Sequence, residues 1–498
     1  MARKATRLTL CFCAVALSPV TPSLPADGGA PGRPNLLFIL TDDQRADTIG
    51  AHGNPYVETP SLDRLARRGF AFREAHIMGA NQGAVCAPSR AMLMSGRTLF
   101  RVYDSLDGVP TFPEVMRQAG YETFVTGKWH QSEASLARSF TWGRHVFLGG
   151  MSAHDGVPVR DLRPDGSLGE PRRLGFSTDL FADAAIEFVR GQAARKDGAP
   201  FLAYVAFTAP HDPRTPPEPY RSRYRGAEMP LPPDFLPVHP FDNGWMTGRD
   251  EQLAAWPRAP ETIREQRAEY YGLVSHLDAR IGDILEALDE TGLARRTIVV
   301  FASDNGLALG SHGLLGKQSL YEHSTRVPLI MAGPGLPVGE SRALVTLLDL
   351  FPTIARLCGL ATPAGVEGVD LGPLWRGEVQ SVREVLYTAF DDTQRSVRDG
   401  RFKLIVYPKT GYEQLFDLQG DPFELRNLSG DPAHAPTRAR LRARMEEEHA
   451  ALGDPHPLSV EPRSPMGFDY RSVERKPDEH QPAWVIEKYF SRPRPAKP

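Results

Sequence analysis

The 498-residue chain predicts an α/β fold, a mostly parallel sheet flanked by helices, with a smaller antiparallel sheet and helix at its C-terminal end. Two observations carry the first part. Short, wholly apolar runs at 35–40 (NLLFIL), 201–207 and 297–302 (TIVVFA) have the pattern of strands buried on both faces. Longer stretches with apolar residues at three-to-four spacing lie between them, which reads as strand–helix–strand crossovers. The third observation is a change after about Gly377. Runs at 385–390, 394–397, 402–407 and 413–417 are short, alternate in polarity and are separated by turns such as Asp399-Gly400.

Taken in order, a Gly/Pro linker at 27–34 precedes the first strand, and 61–68 is a helix closed before Gly69. Residues 86–95 follow as a helix, since Pro88 suits a first turn and Gly96 a helix end. Helix 112–119 leads into strand 121–126. Residues 131–176 read as irregular and Gly-rich, with a hairpin near 163–166. Helix 178–195 precedes strand 201–207, and 214–260 is a Pro-rich, aromatic loop, either the wall of a binding site or passive surface padding. The 261–291 stretch predicts a long amphipathic helix, with Tyr270, Val274, Leu277, Ile281, Ile284 and Leu288 on one face. Strand 297–302, a strand at 327–331 and helix 349–358 complete the α/β part. A charged helix at 433–452 packs on the C-terminal sheet, and the Pro-rich tail from Asp454 is either a wrapping arm or partly disordered. This divides the chain into 1–26, an α/β domain at 34–377, and a C-terminal subdomain with tail at 378–498.

The composition narrows the class. An apolar share of 41 % suits a soluble globular core, and a net charge of −3 without Lys/Arg runs speaks against a nucleic-acid partner. Arg3, Lys4 and Arg7 followed by the apolar run 8–17 read as a signal peptide ending near Ala26, so the mature chain is expected to be exported, periplasmic or secreted, with no transmembrane anchor. Beyond it only Cys86 and Cys358 remain, too few for a disulfide scaffold. Cys358 reads as a buried residue of its helix.

Four apolar strands end in ionisable residues: Asp42 and Asp43, Lys128 and His130, His211, and Asp304 with Asn305. In a parallel sheet such ends share an edge, and sites form there. Cys86 at a helix N-terminus, with Arg90 a turn further on, is either a small buried thiol or a reactive group beside an oxyanion. Asp42, Asp43, Asp304 and Asn305 offer only oxygen, which fits Ca²⁺ or Mg²⁺ better than zinc. Arg90, Lys128 and Lys317 add the positive charge a sulfate or phosphate ester needs, and His130 and His211 have the intrinsic pKa for proton transfer.

These residues carry a resemblance. Cys86-Ala87-Pro88-Ser89-Arg90 with Ser95-Gly96-Arg97 resembles the signature of the formylglycine-dependent sulfatases. Thr41-Asp42-Asp43-Gln44, Gly127-Lys128-Trp129-His130, Pro210-His211, Ser303-Asp304-Asn305-Gly306, Gly316-Lys317, Tyr321-Glu322-His323 and Arg326-Val327-Pro328 resemble further family blocks, in family order. The chain departs at Met94, Ser95 and Gln131-Ser132, where the family often has Leu, Thr and Leu-Gly. The resemblance implies an alkaline-phosphatase-like fold and oxidation of Cys86 to formylglycine by a formylglycine-generating or anaerobic sulfatase-maturating enzyme. It implies one Ca²⁺ (Mg²⁺ less favoured) on Asp42, Asp43, Asp304, Asn305 and position 86. It also implies that Arg90 holds the hydrate, Lys128 and Lys317 grip sulfate, His211 protonates the leaving alcohol (Lys317 competing) and His130 acts as base. The implied substrate is a sulfated saccharide or other sulfate ester. A phosphate or phosphonate monoester hydrolase and a catalytically dead glycan-binding protein are the alternatives. His145, His154, Arg160, His239, Asp242, Asn243, Trp245, Gln394, Arg395 and Arg398 are candidate wall residues, each equally readable as surface structure.

Overall fold

A computed structural model describes residues 32–195 and 197–490. The signal peptide expected at 1–26, with Cys11 and Cys13, lies outside the described residues. The centre of the molecule is a ten-stranded sheet. Its middle strand, Asn35–Thr41, is buried throughout and lies parallel between Thr297–Ser303 and Phe201–Ala206. Glu122–Lys128 adds a fourth parallel strand beside Phe201–Ala206. These runs lack polar alternation because both faces are covered. The long helix Pro260–Glu290 and the helix Ser177–Ala193 share one apolar layer with Leu37, Ile39, Ala203 and Val205. On the other face Phe38, Leu40 and Tyr204 join the helices Cys86–Ser95 and Phe112–Gln118.

A five-stranded sheet holds Leu386–Phe390, Gln394–Arg398, Phe402–Tyr407 and Tyr412–Asp417 as an antiparallel meander. Its fifth strand, Gly79–Ala80, comes from the segment just before the Cys86 helix. The C-terminal sheet is thereby hydrogen-bonded to the chain that leads into the site. The helix Ala435–Leu452 covers it through Leu441 and Met445.

Two expectations need correction. Residues 131–176 are not irregular: Glu133–Ser139 is a helix, and Trp142–Phe147 and Pro158–Leu162 extend the central sheet. The register shifts on both sides of Trp142–Phe147, so its polar pattern, with Gly143, Arg144 and His145, shows no clean alternation. The expected strand at 327–331 is two strands. Arg326–Val327 pairs with Ala75–His76 in a small separate sheet, and Leu329–Ala332 joins the central one. Pro328, which cannot donate to a ladder, stands between them. Cys358 ends its helix as a free, buried thiol, as expected. Among the described residues no helix is long and apolar enough to cross a membrane.

Several histidines are structural. His154 shares hydrogen bonds with Ser177, Thr208 and the His211 carbonyl, and His239 with the His312 carbonyl. Burial pulls both imidazoles down to about 4. A depressed histidine pKa means the unfolded chain binds the extra proton, so stability is lost as pH falls from 6.5 through 4. Denaturant midpoints are expected to fall steeply across that window. His239→Gln is expected to remove about 3 kcal/mol of the stability change between pH 6.5 and 4; an unchanged pH dependence would contradict this assignment.

Candidate active site

The strand ends meet as their sequence positions require. Backbone bonds stitch the turns together: Asp42 N donates to the Ala209 carbonyl, Asp304 N to the Thr41 carbonyl, and Asp43 N to Asp304 Oδ1. Asp42, Asp43, Asp304 and Asn305 are all essentially buried. Asp43 has a positive φ of 68°, an uncommon conformation that aspartate tolerates better than most residues.

All ten residues of the helix Cys86–Ser95 are buried. Cys86 is its first residue, and Gly96, with φ 63°, ends it by donating to the Met92 carbonyl. Ser89 Oγ donates to the Asp304 carbonyl at 2.5 Å, fixing the helix on the strand end. Cys86 Sγ donates to Asp42 Oδ1 at 3.1 Å. Burial and the Asp42 charge push this thiol well above its ordinary pKa, so it stays protonated.

Three cations face the three carboxylates. Lys128 Nζ lies 2.6 Å from Asp42 Oδ2, Lys317 Nζ 2.6 Å from Asp43 Oδ1, and Arg90 Nε 2.8 Å from Asp304 Oδ2. Burial alone would raise the Asp42 carboxyl, but Lys128, His211, Arg90 and Lys317 outweigh it and hold it well below the carboxylate range. Lys317 Nζ also reaches Cys86 Sγ at 3.0 Å. Arg90 Nη1 donates to the Lys128 carbonyl, while buried Nη2 and Asn305 Oδ1 find no hydrogen-bond partner among the described residues.

His211 Nδ1 lies 2.7 Å from the Asp212 carbonyl, and its Nε2 is 3.6 Å from Asp43 Oδ2. Donor atoms of Asp42, Asp43, Cys86 and His211 all lie within 4.8 Å of one another. His130 follows Glu122–Lys128 with φ 59°. Burial, Lys128 and Arg90 depress its pKa far below the ordinary value, so it is neutral. Gly150 packs on it: a Cβ there would stand 2.5 Å from His130 Nε2. Gln131 Nε2 donates to the Ala87 carbonyl, and Ser132 caps the helix Glu133–Ser139. Gln131 therefore braces the first turn of the Cys86 helix, and Ser132 fixes the helix that follows.

A cavity of about 270 Å³ opens onto Cys86, His130, His211 and Lys317. Of the candidate wall residues only Trp245 lines it. His145 is at the Asp161 side of the sheet, His154 behind His211, and Arg160 beside Glu133. His239 faces the His312 carbonyl, while Asp242 and Asn243 turn their side chains to the loop backbone. Gln394 bonds to the Asn243 and Gln318 carbonyls, Arg395 pairs with Asp454, and Arg398 with Glu74 and Glu322. Gly83, Ala84 and Gly150 add backbone and small side chains to the wall, and its larger remaining side chains are Met151, Arg249, Asp250 and Gln318, which sequence reasoning missed. Arg249 and Asp250 stand four and five residues after Trp245 in the loop flagged as a wall, the one signal that pointed near them.

Comparison with known proteins agrees with this geometry. A family model described as Sulfatase matches residues 34–360, and one described as N-sulphoglucosamine sulphohydrolase, C-terminal, matches 310–451. A choline-sulfatase of Rhizobium meliloti is 28% identical, covering 83% of this chain and 85% of its own. An N-acetylglucosamine-6-O-sulfatase of Bacteroides thetaiotaomicron is 25% identical, covering 85% and 88%. A solved structure, in complex with its substrate D-glucosamine-2-N,6-O-disulfate, superposes with a TM-score of 0.72 at 23% identity, over 86% of this chain and all of the other, which supports the fold. The chain belongs to the sulfatase family of sulfuric ester hydrolases.

Proposed function

We propose that the chain hydrolyses a sulfate monoester, on a carbohydrate, with formylglycine at position 86 as nucleophile and one calcium ion beside it. The observation that carries this is the buried meeting of Cys86 with Asp42, Asp43, Asp304 and Asn305 on one side and Arg90, Lys128 and Lys317 on the other. The donor set fits a hard divalent cation: it is all oxygen apart from position 86, and Asn305 Oδ1 is buried without a partner among the described residues. Asp42, Asp43, Asp304, Asn305 and position 86 would hold the ion. Bound there, it would acidify the attacking hydroxyl and offset charge on the sulfate oxygens. Formylglycine, once hydrated, supplies two hydroxyls on one carbon, one to attack sulfur and one whose deprotonation expels sulfate. A thiol has no second hydroxyl and so no such exit, which is the chemical reason to expect the modification.

The chain's own side chains divide the remaining work. Arg90 Nη2, without a partner among the described residues, is available to an oxygen at position 86. Lys128 and Lys317 donate to sulfate oxygens. His211 has Nδ1 committed to the Asp212 carbonyl, which leaves Nε2 to give its proton to the departing alcohol oxygen. Lys317 already touches position 86, which favours His211 for that role. Neutral His130 accepts a proton at Nδ1, which has no partner among the described residues. Trp245 offers a ring against which a sugar can pack. The carbohydrate reading draws support from the N-acetylglucosamine-6-O-sulfatase relative. Export draws support from the basic and apolar N-terminal residues, and maturation by a formylglycine-generating or anaerobic maturating enzyme is implied. A catalytic domain at 34–377 followed by a C-terminal subdomain at 378–498 fits where the antiparallel sheet begins.

The direct test is relative hydrolysis of aryl sulfate, aryl phosphate and phosphonate esters by the mature enzyme. Sulfate is expected to dominate; preference for a phosphorus ester would overturn the assignment. Cys86→Ala is expected to abolish turnover, and retained activity would remove position 86 as nucleophile.

His211→Ala is expected to cost about 10²–10³-fold in kcat on a sugar sulfate, whose alcohol leaves poorly without a proton. The same variant is expected to lose much less on a nitrophenyl sulfate. Equal losses on both esters would move the acid role elsewhere.

Chelation is expected to abolish activity and lower Tm, with recovery of both on adding Ca²⁺. Full activity after exhaustive chelation would exclude the metal.

A further inference from the structure

The segment after the last long helix lies beyond both family matches, which end at 360 and 451. It is an arm that runs from the C-terminal sheet along the Pro-rich loop to the helix Pro260–Glu290. Val460 N and Ser464 N donate to the Pro408 and Lys409 carbonyls at the C-terminal sheet. Asp242 N in the Pro-rich loop donates to the Met466 carbonyl, and Phe468 packs edge-on against Trp256. Arg475 Nε donates to the Gln252 carbonyl. The arm ends on the helix Pro260–Glu290, where Lys488 and Tyr489 meet Glu269.

Between these anchors the arm puts two side chains beside the catalytic cluster. Asp478 Oδ2 accepts from Arg249 Nε at 2.7 Å and lies 2.6 Å from Nη2. Gln481, buried, donates from Nε2 to Asp212 Oδ2 at 3.1 Å. Arg249 Nη1 donates to Asp212 Oδ1 at 2.7 Å and to Asp250 Oδ1 at 3.0 Å. Asp212 is the residue whose carbonyl orients His211. The guanidinium thus sits among three carboxylates that would repel one another without it, two lining or flanking the cavity and one lent by the arm.

We propose that Asp478 and Gln481 are positioning residues: the arm locks Arg249 and Asp212, and through them sets His211 and the outer wall of the cavity. This rests on the reading of His211 as the group facing the leaving alcohol. It makes the arm part of the active site and not a surface wrapping.

The test uses the full chain with Asp478→Ala, Gln481→Ala and Asp478→Glu, and Arg463→Ala as a control elsewhere on the arm. Kinetics are run on the ester the wild type turns over. The two alanine variants are expected to lose about tenfold in kcat with Tm nearly unchanged. Asp478→Glu is expected to recover most of that loss. In an Arg249→Ala background Asp478→Ala is expected to cost nothing further. Hydrogen exchange supplies a readout independent of activity: amides at 208–214 are expected to exchange faster in Asp478→Ala and unchanged in Arg463→Ala. Unchanged exchange at 208–214, or losses that add independently to those of Arg249→Ala, would overturn the proposal. Faster exchange in Asp478→Ala, together with a mature wild type that hydrolyses no sulfate ester, would leave the arm's role standing and refute the proposed sulfate-ester reaction instead.

Discussion

Everything in this molecule answers to one electrostatic constraint: three carboxylates and three cations are buried together at the edge of a parallel sheet. Isolated charges at this depth would cost many kcal/mol each, and even paired charges repay their desolvation only when geometry is good. The pairs are accordingly direct, Asp42 with Lys128, Asp43 with Lys317 and Asp304 with Arg90. The members come from five separate segments of the chain, Asp42 and Asp43 sharing one turn, so the cluster forms only when the whole sheet edge is in register. Asn35–Thr41 runs flush with Thr297–Ser303, pairing residue by residue from Asn35↔Thr297 to Thr41↔Ser303. A slip of one residue would move Asp42 and Asp304 apart and leave charges without partners.

The same constraint explains the shape of the surroundings. The Cys86 helix is buried on every side because its first residue must enter the cluster, and its small residues allow that close approach. Gly150 is needed where a loop presses on the His130 ring, since a side chain there would push the imidazole away. Gly79, with φ 98°, lets the strand before the Cys86 helix run against Ala389, where a Cβ would fall 2.0 Å from the carbonyl oxygen. The C-terminal sheet is in this way coupled to the segment that carries Cys86, and the arm beyond it reaches Asp212, next to His211. Elements distant in sequence converge on one group of side chains because burying charge demands that all of it be satisfied at once.

Much of this was legible in the sequence, for a physical reason. Strands buried on both faces are continuous apolar runs, so the ionisable residues that follow Leu40, Thr126, Phe207 and Ala302 stand out sharply. What local pattern could not show was how the half-exposed outer strands and loops settle. Trp142–Phe147 carries Arg144 and His145 and is paired on both sides, but its alternation is broken by register shifts. Most of the histidines and arginines considered for the cavity wall turned out to bond elsewhere: His154 supports His211 from behind, and Arg395 holds Asp454. Their positions depend on long-range contacts with no periodicity to reveal them. Arg249 was hidden for the same reason, since its three partners are 37 residues before it, adjacent to it and 229 residues after it.

The central claim is that position 86 works as an aldehyde hydrate and not as a thiol. Mass spectrometry of the peptide spanning Cys86, taken from enzyme whose sulfatase activity has been measured, tests it most directly. The account predicts formylglycine in a fraction that tracks specific activity between preparations. Fully active enzyme carrying only the unmodified thiol at position 86 would contradict it.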